Sequence, residues 1–246
     1  MTAEPTFGEV EITTEEVKVP VGDSVMTAFL ATPRREGNRP VVVVAFEMFG
    51  LTPYVREIAE RVAGLGYTAV APDFYHRGGP GNVLDEEEPG RGFTLIGELT
   101  RDGVLADVSA AIAFAGSPAK AGMLGLSVGG HLAYLAAAKL DLAATAVFYG
   151  GWLTTTELAL GRPEPTLTLT PDIRGKLLFL TGGADHAVPS GDLEQIGAAM
   201  AENGHELVVY PDTPHGFFCH RRDTYRAGAA DDAWRRVRML FADELG

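Results

Sequence analysis

The sequence predicts an α/β protein: a mostly parallel central sheet with helices on both faces, preceded by an N-terminal antiparallel hairpin. Three observations carry this. Short unbroken apolar runs such as Val41 to Phe46 have the pattern of strands covered on both faces. They alternate with stretches whose apolar residues recur at helical spacing. At residues 119 to 140 an apolar run passes through Gly125-Leu126-Ser127-Val128-Gly129 straight into a helical pattern.

Taken in order, residues 8 to 19 alternate imperfectly between apolar and polar, and residues 24 to 31 follow the turn signal Val21-Gly22-Asp23, which predicts the hairpin. Val41 to Phe46 is a central strand ending at Glu47. From Pro53 to Ala63, Val55, Ile58, Ala59 and Val62 lie on one helical face, with Thr52 as cap and Gly64 and Gly66 as stops. Tyr67 to Ala71 is the next strand. Residues 72 to 100 break this rhythm with proline-glycine turns, an acidic run and isolated aromatics, and read as a long, lid-like loop over about 74 to 100. Helix resumes over Asp102 to Ala115. Further strands are expected at Ala144 to Tyr149, Leu177 to Leu180 and Glu206 to Tyr210, and helices at about Asp192 to Glu202 and Tyr225 to Glu244. On the last helix Trp234, Val237, Leu240 and Phe241 form the inward face. Residues 161 to 171, rich in proline, form a second loop.

A chain of 246 residues suffices for one large α/β domain, so a single domain over residues 1 to 246 is expected. No stretch has the apolar length needed to cross a bilayer, and the acidic N-terminus lacks the apolar core of a secretory signal, so a cytoplasmic protein with no membrane partner is expected. The formal charge of −13 repels phosphates and argues against nucleic acid. A lone cysteine, Cys219, excludes an internal disulfide, and neither clustered cysteines nor a zinc-hydrolase pattern is present, so no metal and no cofactor is expected. A monomer or a homodimer is expected.

Ser127 stands where a sharp strand-to-helix turn would project it clear of the chain, and Gly125 and Gly129 supply the small flanks such a turn requires. With five serines and 30 glycines in the chain, the pattern arises by chance about 0.07 times. The plain alternative is a glycine-rich turn with Ser127 as a helix cap. Asp185 and His215 also lie in turns just after predicted strands. The order Ser127, Asp185, His215 is the one α/β-hydrolases use for nucleophile, acid and base. The chemistry these types would perform is attack by Ser127 on a carbonyl, proton transfer through His215, and orientation of the imidazole by Asp185. Donors for the developing oxyanion are assigned to the amides of Val128 and Met48. Asp185 could instead be a turn or cap residue, and Asp212 is an alternative acid whose Pro-Asp-Thr-Pro context suits a turn better. Cys219 reads as packing material, and the other histidines as surface or packing residues.

Five motifs stand in order: Phe46-Glu47-Met48-Phe49-Gly50, Ala71-Pro72-Asp73-Phe74-Tyr75, Gly125-Leu126-Ser127-Val128-Gly129-Gly130, Gly183-Ala184-Asp185-His186 and His215-Gly216-Phe217-Phe218. From about residue 24 to 242 the chain resembles the dienelactone hydrolase family. The resemblance implies the α/β-hydrolase fold, a small ester or lactone as substrate, and a role for Glu47 beside the nucleophile in controlling its protonation and orientation. The plain reading of Glu47 is a salt-bridged or strand-capping carboxylate, although a buried carboxylate is costly unless paired or neutralised.

Two departures from the family's pattern stand out. Its best-known members carry cysteine where this chain has Ser127, and a hydroxyl is far less acidic than a thiol, so His215 must act as base during attack. Members acting on dienelactone hold its carboxylate with two arginines. At the first position this chain has Cys219, with Arg221 and Arg222 just beyond; at the second, Arg91 corresponds only with a one-residue slip. Arg91, Trp152, Phe217 and Arg221 are the candidate substrate-binding residues. The leading expectation is thus a cofactor-independent serine hydrolase working through an acyl-enzyme. The same parts would serve an acyltransferase or cyclase if the pocket excludes water and admits an alcohol or amine, and a non-catalytic small-molecule binder is the third possibility.

Overall fold

A computed structural model describes residues 10–34, 37–79, 83–84, 89–116 and 120–246. In it β1 (Ile12–Val21) and β2 (Ser24–Pro33) form the expected antiparallel hairpin, in register from Ile12↔Pro33 to Val21↔Ser24. The tight turn uses Gly22 at φ +56°, a conformation that favours glycine. The first strand begins at Ile12 and continues to Val21, past the expected end at residue 19, because the ladder pairs every residue up to the turn. Residues 8 and 9 of the expectation lie outside the described residues.

The wholly buried strands β3 (Val41–Ala45), β4 (Thr68–Pro72), β5 (Ala121–Leu126) and β6 (Ala144–Phe148) are joined by β7 (Lys176–Gly182) and β8 (Glu206–Tyr210). The eight strands make one sheet in the order β1-β2-β4-β3-β5-β6-β7-β8. β2 meets β4 antiparallel, and every pairing from β4 to β8 is parallel. After β3 the chain steps to one side to form β4, then returns across β3 to form β5 on the other. The carboxyl ends of β3 and β5 therefore flank a topological switch point, where open α/β sheets bind ligands.

Helix α1 (Pro53–Gly64) begins with Thr52 accepting from the Val55 amide, as expected of a cap, and turns Ile58, Ala59 and Val62 inward. Helices α3 (Arg101–Ala115) and α4 (Val128–Lys139) touch each other on one face of the sheet. On the other face α1 meets α6 (Ala227–Glu244) where the Arg61 guanidinium sits 4.2 Å from the centre of the Trp234 ring. Val237 and Phe241 of α6 are fully buried, while Trp234 and Leu240 are half-buried against the core. α5 (Ser190–Glu202) packs on β8. Among the described residues no helix is long and apolar enough to cross a membrane.

The region expected to be a lid-like loop contains a further helix, α2 (Pro89–Glu98), with Gly92, Leu95 and Ile96 buried. Gly90, Gly92 and Gly97 lower its intrinsic propensity and hide it in the sequence. Contact with the protein compensates, since Gly92 brings the helix backbone directly onto the Met48 side chain. The acidic run at residues 85–88 lies outside the described residues. Residues 161 to 171, expected as loop, contain most of a 3-10 segment, Thr166–Asp172.

One turn beyond Ser127, His131 is completely buried and ties α4 to two later segments. Its Nδ1–H donates to the Gly151 carbonyl at 3.0 Å, and Nε2 lies 2.8 Å from Thr166 Oγ1. Burial lowers the imidazole pKa to about 4, so the ring is neutral, Nε2 is the acceptor, and the Thr166 hydroxyl donates to it. An unfolded chain would protonate this histidine near pH 6.5. The stability it contributes should therefore be complete above about pH 6.5 and be lost as pH falls towards about 4, a loss of about 3 kcal/mol. Urea unfolding at pH 7, 5.5 and 4.5 should show wild type losing more stability than His131→Gln. Parallel losses would assign the acid sensitivity to other groups.

Candidate active site

Ser127 occupies the single-residue joint between β5 and α4 at φ +56°, ψ −119°, a region rarely tolerated by a residue with a side chain. The strain is held by packing on both sides. A Cβ at Gly125 would fall inside the Gly129 carbonyl, and one at Gly129 would fall inside the carbonyls of Ala45 and Phe46, so each glycine permits a backbone approach no other residue could. The Gly129 amide donates to the Phe46 carbonyl at 3.0 Å, which fastens the elbow to the end of β3.

The loops after β7 and β8 bring the other two expected residues to the serine. Ser127 Oγ lies 3.0 Å from His215 Nε2, and His215 Nδ1 lies 2.9 Å and 3.0 Å from the two Asp185 oxygens. Since Asp185 can only accept, Nδ1 carries the proton and Nε2 is free to accept from the serine. The Asp185 side chain is fully buried and is held by the Ala187 amide at 2.8 Å and more weakly by the Thr181 hydroxyl at 3.4 Å. Tyr149, itself at φ +41°, sets its ring edge-on to the imidazole with centroids 4.9 Å apart. The exposed His186 ring approaches from another side at 5.4 Å.

Glu47 extends from the end of β3 into the same region and is buried. Arg222 Nη1 meets its Oε2 at 2.7 Å and the Tyr149 hydroxyl donates to Oε1 at 3.2 Å. Burial raises the Glu47 pKa above the usual carboxylate value, against the opposing pull of Arg222 and then His215. Arg222 in turn lies over the Phe49 ring at 5.3 Å. Met48 follows Glu47 in a turn closed by the Gly50 amide donating to the Glu47 carbonyl at 3.1 Å. Val128 is the first residue of α4, where backbone N–H groups have no intrahelical acceptor. Among the described residues no cluster of three or more His, Cys, Asp or Glu side chains is arranged to hold a metal ion.

The candidate substrate residues separate from one another. Phe217, expected as a pocket wall, is fully buried among Phe148, Tyr149 and Tyr210 and belongs to the core beneath the site. Arg221 turns away to pair with Glu57 of α1, leaving its neighbour Arg222 to reach Glu47. Arg91 is exposed on α2, whose next residue is packed against Met48. Trp152, at φ +59°, is half-buried after β6. Cys219 is buried, as its reading as packing material requires. Sequence reasoning did not find the Tyr149 contact with Glu47, which spans 102 positions, or the choice of Arg222 over Arg221, which adjacent positions of identical type cannot signal.

The sequence model of the dienelactone hydrolase family matches residues 26–245. The chain is similar to a candidate carboxymethylenebutenolidase of Synechocystis sp., 37% identical over 245 residues that cover 96% of this chain and 99% of the relative. It is also similar to a carboxymethylenebutenolidase of Pseudomonas putida, 30% identical over 225 residues covering 88% and 91% of the two chains. Among solved structures, a candidate dienelactone hydrolase from Klebsiella pneumoniae subsp. pneumoniae superposes with a TM-score of 0.86 at 29% identity, covering 94% of this chain and 99% of that one.

The Glu47–Arg222 pair makes a stability prediction. Arg222→Met leaves a buried carboxylate without its cation, which should destabilise the fold at neutral pH by about 3 kcal/mol. With Arg222 gone, the already raised Glu47 pKa rises further, so the penalty is full above that pKa and fades as acid neutralises the carboxylate. Urea unfolding of Arg222→Met at pH 7 and pH 5 should show the deficit shrinking, and adding Glu47→Gln should remove most of it at pH 7.

Proposed function

The chain belongs to the dienelactone hydrolase family, and on that premise we propose that it hydrolyses a small ester or lactone through an acyl-enzyme on Ser127. The observation that carries this reading is the continuous relay Ser127–His215–Asp185, with contacts of 3.0 Å and 2.9 Å built on a strained elbow. His215 Nε2 takes the serine proton as Oγ bonds to the substrate carbonyl carbon, and Asp185 stabilises the imidazolium that results. The Val128 and Met48 amides receive the oxyanion. Collapse of the tetrahedral intermediate expels the alcohol with the proton from His215. Water then repeats the sequence on the acyl-serine, with His215 again the base, and releases the acid.

Serine in place of cysteine changes what Glu47 can do. A carboxylate is far too weak a base to hold an alkoxide, so the neutral imidazole must remove the proton as the bond forms. Glu47 is read as a support for the oxyanion hole, because it immediately precedes Met48 and its carboxylate is held by Arg222 and Tyr149. The pairing also bears on substrate charge. At Arg222 or Arg221 a substrate carboxylate would compete with Glu47 or Glu57, whereas a neutral ester meets no such competition at either residue.

Ser127→Ala and His215→Ala should each lower turnover of a simple aryl ester by at least about a thousandfold, since either change removes proton-coupled attack. Fluorophosphonate should label the wild-type chain and leave Ser127→Ala unlabelled; near wild-type turnover by that variant would end the mechanism. Glu47→Gln should reduce kcat by about tenfold with little change in KM, because the interaction matters most as charge develops on oxygen. Steady-state kinetics on protein whose fold is checked by circular dichroism decides this, and an unchanged kcat would reduce Glu47 to a structural ion pair.

A further inference from the structure

Tyr75 lies outside the relay yet grips the chain segment that carries Met48 at two points. Its ring is 4.6 Å, centroid to centroid, from that of Phe46, and its hydroxyl donates to the Met48 carbonyl at 3.1 Å. The residue itself is anchored from behind. Asp73 Oδ1 accepts the Tyr75 amide at 3.0 Å, and the two residues after Tyr75 converge on Asp107 of α3, whose side chain is completely buried. His76 Nε2 lies 3.1 Å from Asp107 Oδ1, and Arg77 donates to both Asp107 oxygens at 2.7 Å and 2.8 Å. A bidentate arginine on a buried carboxylate is among the most geometrically demanding contacts a protein makes. It sets the position of Tyr75 against a rigid helix.

Consider what these contacts do to the peptide groups around Met48. The Glu47–Met48 peptide has its carbonyl held by the Gly50 amide at 3.1 Å, and in a trans peptide the N–H points opposite to the carbonyl. The Met48–Phe49 peptide has its carbonyl held by Tyr75. With both flanking peptides restrained, the Met48 N–H has little freedom to swing. On the opposite side of the site the Val128 amide is placed by the elbow, and the Gly129–Phe46 hydrogen bond sets the distance between the two segments. We propose that Tyr75 is a positioning residue for the oxyanion hole, its hydroxyl holding the Met48 peptide in the orientation that the tetrahedral oxyanion requires.

This inference rests on Ser127 acting as an acyl-transfer nucleophile. The test is Tyr75→Phe, which keeps the ring against Phe46 and deletes only the hydroxyl. Preorganised donors act on the transition state, so kcat for 4-nitrophenyl acetate should fall about tenfold while KM stays within about twofold. The inhibition constant for phenylboronic acid, which forms a tetrahedral adduct with an active-site serine, should rise by a similar factor of about ten. A hydroxyl with a merely structural role would lower the thermal midpoint and leave both quantities alone. Tyr75→Phe with kcat and boronate affinity within about twofold of wild type overturns the inference. A wild-type chain that neither turns over the ester nor reacts with fluorophosphonate overturns the proposed hydrolysis as well, so the two failures are told apart by the wild-type control.

Discussion

The site depends on how closely two backbones approach at the switch point of the sheet. The Gly129 amide meets the Phe46 carbonyl at 3.0 Å, and a side chain at residue 129 would occupy the space of the Ala45 and Phe46 carbonyls. That single hydrogen bond joins the beginning of α4 to the end of β3. It brings the segment that carries Glu47 and Met48 beside the segment that carries Ser127 and Val128, although the two are far apart in the chain. Strain at Ser127 is tolerated because this contact and the Gly125 contact on the other side leave the chain no alternative path.

Around this joint the protein treats two buried carboxylates differently. Asp185 is satisfied by the His215 ring, the Ala187 amide and the Thr181 hydroxyl, an arrangement suited to orienting an imidazole. Glu47 has a guanidinium and a phenol for partners, and burial still raises its pKa. The ring of Tyr149 touches the imidazole and its hydroxyl touches Glu47, so one buried side chain links the two carboxylate environments. A buried carboxylate stripped of its cation would be far less stable than the full set.

Much of this architecture could be read without coordinates. The apolar runs that predict β3, β4 and β6 are buried strands because parallel strands covered on both faces cannot carry polar residues without cost. Ser127, Asp185 and His215 were recognisable because each follows a strand, and strand ends in a parallel sheet converge on one edge. Helix α2 was not recognisable. Its glycines argue against a helix in isolation, and what stabilises it is the surface of Met48 and its neighbours, which local propensity does not contain. Phe217 is a related case, since an aromatic beside a predicted base is equally compatible with a wall and with the core, and the fold buries it.

By itself the sequence determined the order of the strands along the chain, the elbow and the three residues Ser127, Asp185 and His215 that the fold brings into contact, all of which depend on neighbours within a few positions: periodicity, small flanks around Ser127, and turns after strands. Tertiary structure alone decided the partnerships. Arg222 and not Arg221 reaches Glu47, Tyr149 crosses 102 positions to the same carboxylate, and Tyr75 crosses 27 to the Met48 carbonyl. These contacts follow from which strands lie side by side, and strand order is a property of the whole packed sheet. Adjacent arginines look identical in one dimension; the direction of the chain at residues 221 and 222 points one to solvent-facing Glu57 and the other to the buried glutamate.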